Sequence, residues 1–261
     1  MTNARCLIET EWRNDALWIW LNRPERHNAL VPRLMSDLKA AIATAAAEEP
    51  AALVLAGRGT SFSTGGDLGG FLDHSGSRED LLDYANLLVG TLHEVILDLL
   101  AFPAPVLASV DGPVTGGSTG LVLAADMVAM SERAFLQPYY SDVGFGPDGG
   151  WTALLPERVG TSKALQIQYL NERVSASEAL SLGLVSSVCP TDELIGCIDG
   201  WVGGLASRFK QTHQATRNGV WDEARRDQVQ LRLDREKDRF LQLIARAETL
   251  AGMQAFTRRR A

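Results

Sequence analysis

A theme stated three times constrains this chain more than anything else in it: a short apolar run, a glycine-rich loop, then a helical stretch. Residues 51–57 (AALVLAG) lead into SFSTGGDLGG and a long helical pattern over residues 78–100, punctuated by Pro103 and Pro105. Residues 105–112 (PVLASVDG) lead into TGGSTG and the apolar stretch GLVLAAD. MVAMSERAFLQP supplies short strand material before GFGPDGG and a helix expected to begin near Trp151. Apolar runs this short, bounded by turn signals, read as buried strands. Strands alternating with helices predict an α/β fold. Ahead of the theme, ALWIWL suits a strand, Asn22 to Glu25 a turn, and residues 34–47 a helix that ends before Pro50. From about Gly200 the chain reads as helical and charged, with Gly203, Gly204 and Gly219 as expected breaks. The expected division is a core over residues 1–199 and a helical, oligomerising segment over residues 200–261.

Glycines between a strand and a helix leave backbone N–H groups open to an anion, because no side chain blocks the approach. Neither GxGxxG nor GxxxxGK[ST] follows these strands, so dinucleotide and P-loop assignments fail on their own residues. A net charge of −7 argues against a nucleic-acid surface, which needs clustered Lys and Arg; the tail Arg258, Arg259, Arg260 is too short to reverse that. Cys6, Cys189 and Cys197 have no metal-ligand spacing and read as small buried hydrophobes of a reducing compartment. The first fifteen residues carry acidic side chains and no apolar h-region, and charges or prolines cut the longer apolar runs. The expectation is a cytoplasmic protein with no metal, nucleic-acid or membrane partner.

Five ordered segments then carry a family resemblance. LNRPERHNAL, GRGTSFSTGGDL, APVLASVDGPVTGGSTGLVLAADMVAM, FLQPYYSDVGFGPDGGWTALLPERVG and SASEALSLGLVSSV resemble, in that order, the motifs of crotonases, the enoyl-CoA hydratase/isomerase superfamily. The resemblance covers roughly residues 10–190. It implies a spiral of ββα units with a helical C-terminal segment, assembled as a homotrimer or a dimer of trimers. It implies an acyl-CoA thioester as substrate, with coenzyme A part of that substrate and no separate cofactor. By position, the N–H groups of Gly66 and Gly117 would form an oxyanion hole, in which two donors meet the charge that develops on the thioester oxygen. Ser63, Gly65, Asp67 and Leu68 would line the CoA path, and Arg23 or Arg26 would meet its phosphates. Asp67 has a second reading, as the N-cap of the next helix.

Hydratases of this family use two glutamates, one to activate water and one to manage the proton. The matching positions here hold Gly120 and Tyr139, so ordinary hydration is not expected. Asp148, in GFGPDGG, is the nearby carboxylate. It reads either as a helix cap or as a working group, because relatives such as the ring-opening phenylacetyl-CoA isomerase and 4-chlorobenzoyl-CoA dehalogenase place an Asp there. His93 lies twelve positions before Pro105 and Asp148 31 after Gly117, spacings that match the dehalogenase's histidine and aspartate. His93 also shares a helical face with Val89, Ile96 and Leu100, which reads as core. Tyr140 stands where the dehalogenase has an aromatic partner for its Asp, and serves equally as wall. Three functions follow: proton transfer by an isomerase using Asp148 alone, nucleophilic dehalogenase- or hydrolase-type catalysis using Asp148 and His93, or a silent acyl-CoA-binding subunit.

Overall fold

The computed structural model describes residues 6–260. Residues 1–5, which belong to the expected core and to the stretch read for a leader, lie outside the described residues, as does Ala261. The strands are β1 (Ile8–Arg13), β2 (Ala16–Leu21), β3 (Ala52–Gly57), β4 (Val106–Val110), β5 (Pro113–Thr115), β6 (Met127–Ser131), β7 (Phe135–Gln137), β8 (Val174–Ser175) and β9 (Ser187–Cys189). Six form one sheet in the order β1-β2-β3-β4-β6-β9, parallel except for the β1–β2 pair. The second sheet has the order β5-β7-β8.

ALWIWL is buried at every position because both faces of β2 are covered. Leu17, Ile19 and Leu21 point into the larger apolar core, while Ala16, Trp18 and Trp20 join a second cluster under the helix Leu194–Ala206. That is the two-sided burial a parallel strand needs, and it explains a run with no polar alternation. The two sheets are tied where β3 and β4 give way to their glycine loops: Ser63 bridges to Val114 and Leu30 to Gly66.

The long helix Arg78–Ala101 opens on Ser77, whose side chain accepts from the Asp80 N–H, and ends ahead of Pro103 as expected. By length and composition it could cross a membrane, but its apolar stripe from Leu81 to Leu100 is buried in the core. Its C-terminal carbonyls are held by buried Arg217, which donates to Leu99, Leu100 and Phe102 and pairs with Asp126 at 2.8 Å. Cations suit that end of a helix.

Two expectations need correction. Gly203 and Gly204 do not break the chain but lie within Leu194–Ala206, and Gly219 lies within the helix Lys210–Val220. The breaks fall at residues 207–209 and 221–222 instead. Burial of Leu194, Ile198 and Val202 on the sheet outweighs the roughly 1 kcal/mol that each glycine costs a helix. Residue 199, the last of the expected core, lies within the helix Leu194–Ala206. Finally, the helix expected near Trp151 begins at Leu155, behind a series of turns.

Candidate active site

The first loop is anchored by Asn28, fully buried, whose amide donates to the carbonyls of Arg58 and Ser61 and whose Oδ1 accepts from the Arg23 N–H. Ser63 donates to the Asn28 carbonyl, and the Ser118 hydroxyl donates to the carbonyls of Ser63 and Thr115. These bonds press the first two glycine loops together. A Cβ on Gly65, whose φ is +76°, would sit 2.6 Å from the Thr115 carbonyl oxygen, so only glycine allows the approach. The third loop closes on the second: Trp151 Nε1 donates to the Gly116 carbonyl at 2.8 Å, and Gly149 lies against the Gly117 backbone.

Between the loops lies a cavity of about 70 Å³, its mouth open to solvent. Gly66 and Gly117 line it, and among the described residues neither N–H has an acceptor. Gly117 sits in a 3-10 turn that runs into the helix Thr119–Leu123. Phe71 lies over Gly66, while Leu92 and the Asp148 carboxylate lie over Gly117. Both Asp148 oxygens are 3.0 Å from the point where a Cβ on Gly117 would stand. Phe145, Phe240 and Phe256 add apolar wall around the pair of open donors.

Asp148 is not a helix cap. The helix beyond it is preceded by Leu154, with no side-chain cap, and the Asp148 carboxylate instead accepts from the Tyr140 hydroxyl. Burial pushes the Asp148 carboxyl up to about 7; the Tyr140 hydrogen bond opposes the shift and the charge of Glu236 adds to it. Burial, then the neighbouring Asp148, holds the Tyr140 phenol well above its ordinary value, so it stays a donor. Tyr140 is thus both wall and partner.

The remaining sequence candidates separate. Gly65, Leu68 and Tyr140 line the cavity; Ser63, Asp67, Arg23, Arg26 and His93 do not. Asp67 caps the helix Leu68–Asp73 by accepting from the Gly69 N–H at 3.0 Å. It also pairs with Arg23 at 2.7 Å and Arg26 at 3.0 Å. Burial works against its charge, but those two arginines outweigh it and hold the carboxyl below its ordinary value. His93 sits beneath the third loop with Nε2 accepting from the Gly149 N–H at 3.3 Å. Burial lowers its pKa to about 3, so the ring is neutral and its 3.9 Å approach to Glu236 is no ion pair.

Glu236 was missed in the sequence. It lies on the C-terminal helix Glu223–Ile244 and is buried against the third loop, within hydrogen-bond reach of residues 150, 152 and 153. A signal existed: Val229, Leu233, Phe240 and Ile244 form an apolar stripe, and Glu236 stands in it where another hydrophobe belongs.

The family model for enoyl-CoA hydratase/isomerase matches residues 11–261. The chain belongs to that family. Among curated relatives of this crotonase, the putative enoyl-CoA hydratase/isomerase YhaR of Bacillus subtilis is 34% identical over 178 residues, 68% of each chain. Enoyl-CoA delta isomerase 2 of Rattus norvegicus is 31% identical over 172 residues, 66% of this chain and 43% of the relative. The crystal structure of an enoyl-CoA hydratase from Bacillus halodurans shares the fold, with a TM-score of 0.89, 24% identity, and coverage of 96% of this crotonase and 100% of that chain. The crotonase fold inferred from the five motifs is the fold observed.

Proposed function

We propose that this crotonase is an acyl-CoA isomerase that moves a double bond by proton transfer through Asp148. The observation that carries the reading is the cavity itself: among the described residues, Asp148 is the one carboxylate lining it, and it lies over Gly117. In this scheme the N–H groups of Gly66 and Gly117 receive the thioester oxygen. Asp148 takes a proton from the α-carbon of a β,γ-enoyl-CoA, and the electron pair of the broken C–H bond spreads onto the oxygen as a dienolate. The same carboxyl returns the proton at the γ-carbon, which leaves an α,β-enoyl-CoA. One base suffices, and a carboxyl that titrates near 7 is well matched to both directions of transfer. The likeness to a rat enoyl-CoA delta isomerase supports the same chemistry. The exposed guanidinium of Arg26 and the backbone at Gly65 and Leu68 are assigned to the CoA moiety. The two-residue dehalogenase scheme draws no support, because His93 spends its acceptor nitrogen on Gly149 outside the cavity.

The test is product analysis of β,γ-enoyl-CoA thioesters of graded length in deuterated water. The expected products are α,β-enoyl-CoA species that retain at the γ-carbon much of the proton taken from the α-carbon, with deuterium there well below the solvent level, and no 3-hydroxyacyl-CoA. Formation of 3-hydroxyacyl-CoA, or no turnover across the series, would overturn the reading.

Tyr140→Phe tests the partner. Its hydrogen bond favours the carboxylate, so its loss is expected to raise the Asp148 pKa and move the acid limb of the kcat/KM profile to higher pH. An unmoved limb would show that the bond has no bearing on the base.

A further inference from the structure

Glu236 is a buried acid that the proposed chemistry does not touch, and all its visible bonds go to one loop. Its Oε1 accepts from the Thr152 N–H at 2.6 Å, the Thr152 hydroxyl at 2.7 Å and the Ala153 N–H at 2.9 Å. Its Oε2 accepts from the Gly150 N–H at 2.8 Å. Glu236 is 3% exposed. A carboxylate this buried costs several kcal/mol unless hydrogen bonds satisfy it, and an apolar residue of similar volume would fit the helix stripe without that cost. The arrangement therefore spends a buried charge on fixing residues 150–153, and these directly follow Asp148 and Gly149.

We propose that Glu236 is the positioning residue for the base: carried in on the C-terminal helix, its carboxylate clamps the loop and so fixes where the Asp148 carboxyl stands against Gly117. The placement is demanding. Gly149 has φ +63°, and a Cβ there would lie 2.3 Å from the Gly117 carbonyl oxygen, so the loop is seated backbone to backbone with no slack. Release of the far side of the loop lets Asp148 drift from the reacting carbon, and a displacement of an ångström costs roughly a hundredfold in rate. A second consequence is electrostatic. Burial raises the Glu236 carboxyl above its ordinary value, while the bonds from Gly150, Thr152 and Ala153 oppose that rise; its charge adds to the burial that raises Asp148 and so disfavours a second anion there. The other titratable groups around it are the Tyr140 phenol, the neutral His93 ring, and Lys237 on the same helix, whose charge is felt at His93.

This inference rests on the reading of Asp148 as the base. Its test uses the full-length chain, β,γ-enoyl-CoA as substrate, and a carboxyl-carbon NMR titration of aspartate-labelled protein, with the Asp148 signal assigned by its loss in Asp148→Asn. Glu236→Gln keeps the length and removes the charge. It is expected to fold, to lose at least about tenfold in kcat with KM within about twofold, and to titrate Asp148 at lower pH. Glu236→Asp keeps the charge but is a methylene short. It is expected to lose kcat while Asp148 titrates nearer to the parent than in the Gln variant. A purely structural role would leave the titration where it is. A folded Gln variant with unchanged kcat and unchanged titration, or a loss confined to KM, overturns the proposal. If the Gln variant does not fold, Thr152→Ala decides: a fall in kcat at constant KM supports the clamp, and an unchanged kcat refutes it. Should Asp148→Asn itself turn over normally, the failure lies in the reading of the base, not in the clamp.

Discussion

Asp148→Asn is expected to lower kcat/KM on a β,γ-enoyl-CoA by roughly a hundred- to ten-thousand-fold, the range over which a positioned general base acts. The amide keeps the shape and can still accept from Tyr140, but it cannot hold the proton between its removal and its return. The cavity and its two open N–H groups remain, so binding of the thioester should survive. The parent enzyme itself should lose kcat/KM as pH falls through about 7, where burial has placed the titration of Asp148. That limb should be absent from whatever activity the Asn variant retains. Stability should move the other way. The folded-state pKa of Asp148 is raised, from an ordinary 3.8 to about 7. The folded state therefore binds the proton more tightly than the unfolded chain. Its stability is greatest below the unfolded value and declines as pH rises through the folded one. Above pH 7 the parent carries the whole cost of a buried carboxylate. An amide carries none, so the Asn variant should melt above the parent there. Steady-state kinetics and thermal unfolding, each followed across pH, check both halves. A variant that is inactive and also less stable above pH 7 would point to a structural role for Asp148 instead.

The sequence made the fold and its close-packed glycine loops legible for one reason: both are written in local chemistry. Two-sided burial leaves an unbroken apolar run such as ALWIWL, and backbone approach leaves glycines such as Gly65 that nothing else can replace. Asp148 was legible through the family resemblance, in which some relatives place a working Asp at its position, while the hydratase carboxylate positions hold Gly120 and Tyr139 here. What the chain hid was everything decided by distant partners. A helix cap stayed open as the alternative for Asp148, and the Tyr140 hydroxyl that donates to its carboxylate decides against it. Glu236 meets its donors 83 to 86 residues away, and those donors are mostly backbone N–H groups, which have no letter in the sequence. Gly203 and Gly204 misled because helix propensity is a weak term: a face buried on the sheet holds the helix regardless. The CoA contacts assigned to Arg23 and Arg26 depend on a ligand, and in the chain alone both arginines are turned to Asp67.

Returning a glutamate to the hydratase position should fail, and for a reason of space before chemistry. A Cβ on Gly120 would lie 2.2 Å from the Gly149 carbonyl oxygen, 2.5 Å from Ile96 Cδ1 and 2.9 Å from the Gly149 carbonyl carbon. Two of those three atoms belong to backbone, which cannot step aside as a flexible side chain does. The Gly149 segment that carries Asp148 into the site thus occupies the room that a side chain at position 120 requires. Overpacking against backbone costs about 2–3 kcal/mol for Ala alone, so Gly120→Ala should lower the melting temperature by roughly 5–10 °C. Gly120→Glu should cost more, because it also buries a charge with no donors arranged for it. Neither Gly120→Glu nor its combination with Tyr139→Glu is expected to form 3-hydroxyacyl-CoA from α,β-enoyl-CoA. Both should lose isomerisation as well, since the only relief for the clash is movement of Gly149, which moves Asp148. Product analysis beside a melting curve decides it. A stable Gly120→Glu variant that hydrates would mean that the loop yields easily. In that case the two catalytic designs would differ by single side chains. If instead the variant is unstable and inactive on both substrates, the loss of the glutamates and the seating of the Asp148 loop are one structural choice, and reverting either requires rebuilding both.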